Sequence, residues 1–266
     1  MDKVKVGIVG CAGRMGLSNL QAVLAHPQTE LAGGIEQTGS SLIGQDLGSL
    51  IGRPDIGLQA TDDFTALAQA SDVLIEFTSP KATLAHTEQA AALGTAMVIG
   101  TTGLNDDETA KLQALGARIP ILWAPNMSLG VNLLLAVVEQ VARATGPDFD
   151  AEIVEMHHRR KVDAPSGTAK AMGEAIIRGR GQAIETIYAR DGITGARPRG
   201  ALGYATLRGG DVIGDHTAIF AGDGERIEIS HKASSREIYS QGAVRSALWL
   251  AGRTPGLYEM KNVLGI

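Results

Sequence analysis

The chain has 266 residues, 44% hydrophobic and 20% charged, with a formal net charge of −5. That balance suits a folded globular chain of one large or two modest domains and excludes a disordered protein or a general polyanion binder. A single cysteine, Cys11, rules out an intramolecular disulfide and a thiol-rich metal site.

The N-terminal MDKVKVGIVG enters a strand without a charged-then-apolar leader, and no apolar run reaches bilayer length. A cytoplasmic protein with no membrane or nucleic-acid partner is expected. Val4–Val9 (VKVGIV) reads as a strand and leads at once into GCAGRMG at residues 10–16. A helix follows to about Ala25, stopped by His26-Pro27, and residues 29–36 (TELAGGIE) form a second strand ending on Glu36. Strand, glycine turn, helix, strand and terminal acid make a dinucleotide-binding βαβ unit. Its spacing is Gly10-x-x-Gly13-x-x-Gly16, with Ala12 where the common fingerprint has its middle glycine.

Residues 39–57 form a glycine-spaced loop. Strands at 72–77 and Ala96–Ile99, a helix over 81–93 closed by Gly94, a helix capped by Asn105 or Asp106, and a strand at 119–123 continue the alternation. Such repeats predict an α/β fold with a doubly wound parallel sheet, whose ligands lie beyond the carboxyl ends of the strands. The loops at 10–16, 100–103 and 124–128 fall there. After Asn126 the pattern changes. A long helix over Leu129–Thr145, a strand at 151–157, a helix from Thr168, and three β-like runs at 204–208, 216–220 and 226–232 predict a second α+β domain with a mixed or antiparallel sheet. Residues 242–250 (GAVRSALWL) read as a helix of either domain.

The candidate cofactor site is Gly10, Cys11, Ala12, Gly13, Arg14 and Met15, with Glu36 accepting hydrogen bonds from the ribose hydroxyls. Cys11 reads as a small residue in a tight turn. Gln37 is neutral and offers nothing to a 2′-phosphate, so Glu36-Gln37 favour NADH, while Arg14 leaves NADPH open. Gly100, Thr101 and Thr102, and Ala124, Pro125, Asn126 and Met127, are either plain turns or backbone partners for a carboxamide.

The most charged stretch is EMHHRRKVDAPSGTAK at residues 155–170. His157, His158, Arg159, Arg160 and Lys161 precede a turn that opens a helix, and a helix N-terminus adds free N–H groups and a positive dipole end. A solvated face, a metal site and a polyanion patch are the alternatives. Adjacent histidines on a strand point to opposite faces and no paired acid or cysteine completes a ligand set, so no metal is expected. A small dicarboxylate, with one carboxylate at the helix start formed by Ser166, Gly167 and Thr168, fits better.

Residues 157–169 closely resemble the signature of the dihydrodipicolinate reductase (4-hydroxy-tetrahydrodipicolinate reductase) family. The likeness extends over the whole chain through residues 10–16, 39–44, 98–103, 126–132, 209–217, 231–236 and 242–250. It implies an NAD(P)H-dependent oxidoreductase of the diaminopimelate route to lysine. In that picture residues 1–128 and 238–266 form a Rossmann domain, and 129–237 bind substrate and build a homotetramer. The resemblance makes His157 the proton donor, Lys161 the second proton-donating or charge-stabilising group, and His158, Gly167 and Thr168 substrate ligands. It carries the 10–15, Glu36, 100–102 and 124–127 positions to the cofactor, and Arg159 and Arg160 to no role. Hydride would come from the nicotinamide and a proton from His157, with closure near 128 and 238. The competing readings are another Rossmann oxidoreductase of aspartate-family metabolism and a non-catalytic dinucleotide sensor.

Overall fold

A computed structural model describes residues 2–266. The first part of the chain runs β1 (Val4–Val9), α1 (Arg14–Ala25), β2 (Thr29–Ile35), α2 (Leu47–Leu50), β3 (Ala60–Thr61), α3 (Phe64–Ala70), β4 (Val73–Glu76), α4 (Pro80–Leu93), β5 (Ala96–Ile99), α5 (Asp106–Gly116) and β6 (Pro120–Trp123). Every residue of β4 and β5 is buried, as expected of central parallel strands covered on both faces. The helices are closed by local chemistry. Pro80 begins α4, whose C-cap Gly94 is left-handed, and α5 carries an Asn105–Glu108 capping box with three acids in its first turn.

The middle of the chain runs α6 (Leu129–Thr145), β7 (Asp150–His157), α7 (Gly167–Arg180), β8 (Thr186–Ile187), β9 (Leu202–Arg208), β10 (Gly214–Gly222) and β11 (Glu225–Ala233). Then come α8 (Glu237–Leu250), β12 (Gly256–Tyr258) and α9 (Met260–Leu264). The chain divides into two compact units: Met1–Ser128 with Glu237–Gly265, and Leu129–Arg236 with Ile266.

Unit 1 holds a seven-stranded sheet in the order β12-β6-β5-β4-β1-β2-β3, parallel throughout. From β1 the chain goes outward to β2 and β3, then restarts on the other side at β4, so strand order reverses between β1 and β4. This is the expected doubly wound, Rossmann-type sheet. Its core includes Val9, Leu74, Met97, Ile99, Leu112 and Ile121. Helix α8 packs on α1, β4 and β5.

Unit 2 holds a mixed five-stranded sheet, β11-β10-β7-β9-β8, in which β10 runs antiparallel to β7 and β11 while β9 is parallel to β7. Helices α6 and α7 cover one face over a core with Leu134, Val138, Ile153, Met172, Ile176 and Phe220. β7 alternates strictly, burying Ala151, Ile153, Glu155 and His157. Period-two geometry thus sends Glu155 and His157 to the same inward face.

Among the described residues no helix is long and apolar enough to cross a membrane. The sequence reading assigns no element to 58–71, where β3 and α3 lie, and starts α8 five residues late. β3 has two residues and α3 seven, too few for a period to register.

Candidate active site

In unit 1 the glycine turn sits at the reversal of strand order. Gly10 has a φ of 69°, a left-handed conformation, and α1 starts so close behind β1 that a Cβ on Gly16 would stand 2.0 Å from the Gly10 carbonyl oxygen. The result is a backbone cradle that any side chain would fill, which is what a bound pyrophosphate requires. Glu36 accepts the Ala12 and Gln37 N–H groups, each at 3.0 Å, and thereby joins the end of β2 to the turn. A cavity of about 720 Å³ opens beside them, lined among others by Gln37, Asp62, Asp63, Thr78 and His86. These residues fit an adenosine dinucleotide.

Cys11 faces the other way. Its side chain is buried, and a Cβ on Gly34 would come 2.8 Å from the Cys11 Cβ. Burial, followed by the charge of Glu36, pushes its thiol up to about 12, so only the backbone of Cys11 is offered to the turn. Arg14 is exposed and Met15 half-buried.

The other two loops are held from below. The Thr101 hydroxyl oxygen accepts the Thr78 N–H (3.1 Å) and the Thr83 hydroxyl (2.7 Å), and the Trp123 indole donates to the Thr101 carbonyl at 3.2 Å. Gly100 N–H donates to Glu76 and Ala124 N–H to Ile99, which fixes both loops to the strand ends. Asn126 accepts the Ser128 N–H at 2.9 Å. Thr102 and Pro125 are exposed, while Ala124 and Met127 are buried.

In unit 2 the charged stretch gathers at the end of β7. His157 is buried, with Nδ1 2.5 Å from Glu155 Oε2. Arg208, the last residue of β9, grips the same carboxylate with Nη1 at 2.8 Å and Nη2 at 2.9 Å, and the Ser166 N–H adds a bond of 3.1 Å. Burial pushes the Glu155 carboxyl up, but the hydrogen bonds from Arg208 and His157, the His157 charge and Ser166 together outweigh it and hold it below the usual carboxylate range. The Ser166 side chain caps α7 by accepting the Ala169 N–H and lies 2.9 Å from His216 Nε2. The His216 ring meets His157 edge-on, with centroids 5.0 Å apart. A Cβ on Gly214 would stand 3.0 Å from His157 Nε2.

His158 leaves the strand and is anchored through its N–H to the Val212 carbonyl at 2.7 Å. Partial desolvation, then Arg236 and Arg160, lower its pKa. Lys161 Nζ lies 2.8 Å from Asp163. Arg159 and Arg160 are exposed. Gly167 opens α7 with nothing within 4 Å of a would-be Cβ, and half-buried Thr168 follows it. The structure therefore brings His157, Lys161, His158, Ser166, Gly167 and Thr168 to one end of unit 2, with the cofactor candidates all in unit 1.

Three residues escape the sequence reading: Glu155, Arg208 and His216. Glu155 carries a usable signal, because it is an acid at an inward position of a strand whose other inward residues are apolar or His157. Arg208 and His216 reach the site only through strand pairing, which sets His216 opposite both Glu155 and His231.

His216 makes the stability of unit 2 pH-dependent. Burial first, then neighbouring His157, lowers its pKa to about 4. The unfolded chain takes up this proton near pH 6.5, and the native site only near 4. The contribution, on the order of 3 kcal/mol, is complete above pH 6.5 and fades as pH falls through that window. Urea titrations from pH 7 to 4 are expected to show this slope, and His216→Asn should flatten it. An equally steep slope in the variant would remove His216 as its source.

Comparison with known proteins agrees in every region. A family model described as dihydrodipicolinate reductase, N-terminus, matches residues 4–127, and its C-terminus counterpart matches residues 130–264. The 4-hydroxy-tetrahydrodipicolinate reductase of Chromohalobacter salexigens is 51% identical over 265 residues, covering 98% of each chain. That of Thiobacillus denitrificans is 47% identical, covering 99% of each. A dipicolinate-bound dihydrodipicolinate reductase from Paenisporosarcina sp. TG-14 superposes with a TM-score of 0.79 at 24% identity over 97% of both chains. A probable dehydrogenase from Thermotoga maritima shares the fold at 12% identity, with a TM-score of 0.62 over 98% of this chain and 92% of its own. With both family models matched end to end and full-length relatives at such identity, the chain is an oxidoreductase belonging to the dihydrodipicolinate reductase family.

Proposed function

We propose that the protein reduces 4-hydroxy-tetrahydrodipicolinate to tetrahydrodipicolinate, a step of the diaminopimelate route to lysine, with NADH as the reductant. The observation that carries the reading is the end of β7, where a buried, carboxylate-paired histidine stands beside a capped helix N-terminus and a lysine. That grouping suits a small dicarboxylate that must receive a proton.

Unit 1 holds the dinucleotide at Gly10, Cys11, Ala12, Gly13, Arg14, Met15 and Glu36, with the 100–102 and 124–127 loops completing the site. The bound nicotinamide supplies the hydride. Glu36, Gln37, Asp62 and Asp63 surround the ribose end of the cavity without a cation, which supports NADH over NADPH. In unit 2 the N-terminus of α7, through Ser166, Gly167 and Thr168, takes one carboxylate, and His158 helps hold the substrate. Loss of the 4-hydroxyl as water leaves a conjugated imine, and hydride addition to it drives electron density onto nitrogen and the adjoining carbon. His157 delivers the proton there, and Lys161 acts as the second proton-donating or charge-stabilising group.

Assembly as a homotetramer is part of the same reading. The sheet face away from α6 and α7 exposes Leu207 beside Met156 on the neighbouring strand, with Ala205 and Val154 next along, an apolar stripe suited to a second copy.

Steady-state assays with enzymatically generated substrate test the proposal. NADH oxidation is expected to depend on substrate, with kcat/KM for NADH at least about tenfold above that for NADPH, a gap of about 1.4 kcal/mol. No substrate-dependent oxidation with either cofactor would sink the reading. A preference for NADPH would remove only the cofactor assignment. Sedimentation of the same sample reads the assembly state, and a monomer would overturn the tetramer.

A further inference from the structure

We propose that Glu155 is the positioning residue of this site: it fixes which nitrogen of His157 exchanges the proton and ties that acid to the anion-binding turn at Ser166. The inference rests on the reading of His157 as the proton donor. Glu155 is 1% exposed and its carboxylate is saturated. Oε2 meets His157 Nδ1 and Arg208 Nη1, while Oε1 meets Arg208 Nη2 and the Ser166 N–H. An ionised carboxylate is acceptor-only, so the proton in the 2.5 Å contact must sit on His157 Nδ1. Nε2 is then the only ring atom able to give a proton away, and it faces Gly214, where no side chain intervenes. On transfer the Nε2–H bond breaks, its electron pair stays on nitrogen, and the neutral ring keeps its Nδ1–H toward Glu155. Solvent restores the Nε2 proton.

The same carboxylate is the counter-charge that His157 touches. The groups around His157 are Arg208 from β9, His216 from β10, His231 beyond it on β11, His158 next to it in sequence, and Lys161 and Asp163 from the following loop. The first turn of α7 carries no acid. Glu155 is thus the only buried anion among mostly cationic neighbours. Neutralising it leaves Arg208 facing the imidazole as an unopposed like charge, and the imidazolium loses its proton at lower pH.

The Oε1 contact gives the residue its second role. Ser166 caps α7, so the carboxylate that orients the acid also anchors the first residue of the turn meant to grip the substrate. Acid and anion site are set by one side chain.

The test compares kcat/KM–pH profiles of wild type, Glu155→Gln and the double variant Glu155→Gln/Arg208→Gln. The double variant removes both charges and leaves no buried ion unpaired, so it keeps the test alive if the single variant does not fold. In folded Glu155→Gln the basic limb is expected to move down by about one pH unit or more, whereas in the double variant, which has also lost the Arg208 charge, it should stay near the wild-type position. In both, kcat should fall at least about tenfold because nothing fixes the ring. KM for the substrate should rise, while NADH affinity, measured by fluorescence titration, stays within about twofold, because its proposed contacts lie in unit 1. A basic limb at the wild-type pH in folded Glu155→Gln, or wild-type kcat in the double variant, overturns the proposal, as does loss of activity traced only to lost NADH affinity. His157→Gln separates the layers. If it is inactive while the Glu155 variants keep the wild-type profile, only the positioning role fails. If it is fully active, the acid assignment falls and this inference with it.

Discussion

Replacing His157 by glutamine is expected to lower kcat by about 10²–10⁴-fold while leaving NADH affinity unchanged. Glutamine is close in size and can still hydrogen-bond to Glu155 through its amide, so the β7 end and the α7 cap should stay in place. What it lacks is an ionisable ring N–H that can be given to the substrate. Proton delivery to a developing carbanion is worth that range when the acid is positioned, and His157 is held on three sides by Glu155, His216 and the β9 pairing of its strand. Single-turnover measurements with saturating NADH separate this step from binding and product release. Wild-type turnover in the variant would sink the proton-donor role. A parallel loss of NADH affinity would instead indicate damage reaching unit 1.

Gly16→Ala is expected to be severely damaging to unit 1. The new Cβ would stand 2.0 Å from the Gly10 carbonyl oxygen and 2.7 Å from the Cys11 carbonyl atoms, all backbone that cannot swing aside. Helix α1 must back away from β1, at a cost of about 3 kcal/mol in the range of severe overpacking. The same retreat would withdraw the helix N-terminus from the proposed pyrophosphate site, so NADH affinity should drop at least about tenfold. Gly13→Ala supplies the control, because its Cβ would sit 3.3 Å from the same oxygen, a distance that a small adjustment relieves. Thermal melts and NADH titrations on the two variants check the contrast. Equal effects would remove close approach as the reason for glycine at position 16.

The parts of this molecule that sequence exposes are those encoded locally. The β1–α1–β2 unit is legible because each requirement lies within about thirty residues: an apolar strand, a turn only glycine can make, and an acid where β2 ends. The 157–168 stretch is legible for the same reason, since its charges, its capping serine and the helix it opens are contiguous. What the sequence withholds is whatever depends on partners far along the chain. Arg208 meets Glu155 across a separation of 53 residues, and His216 meets Ser166 across 50. Both contacts exist because β9 and β10 flank β7 in a register that no local pattern announces. Glu76 in unit 1 differs in that its partners are near in sequence: a fully buried acid at the end of β4, it holds His86 at 2.9 Å and takes part in the threonine network beneath the 100–102 loop. Short elements such as β3 escape because two residues carry no period.

The return of the chain to unit 1 bears on how this protein is made. Strand β12 closes the β6 edge of the parallel sheet, α8 lies over β4 and β5, and the Ser240 hydroxyl of α8 meets that of Ser18 on α1 at 2.8 Å. While the ribosome is still translating residues 129–236, the sheet has an unpaired β6 edge and a bare apolar surface where α8 will lie. An unpaired edge and an uncovered sheet are what chaperones recognise and what neighbouring nascent chains stick to. The unit encoded first therefore cannot complete its sheet until residues 256–258 have been made. A stop codon anywhere before residue 258 leaves a nucleotide-binding half that lacks its outer strand, however intact its glycine turn.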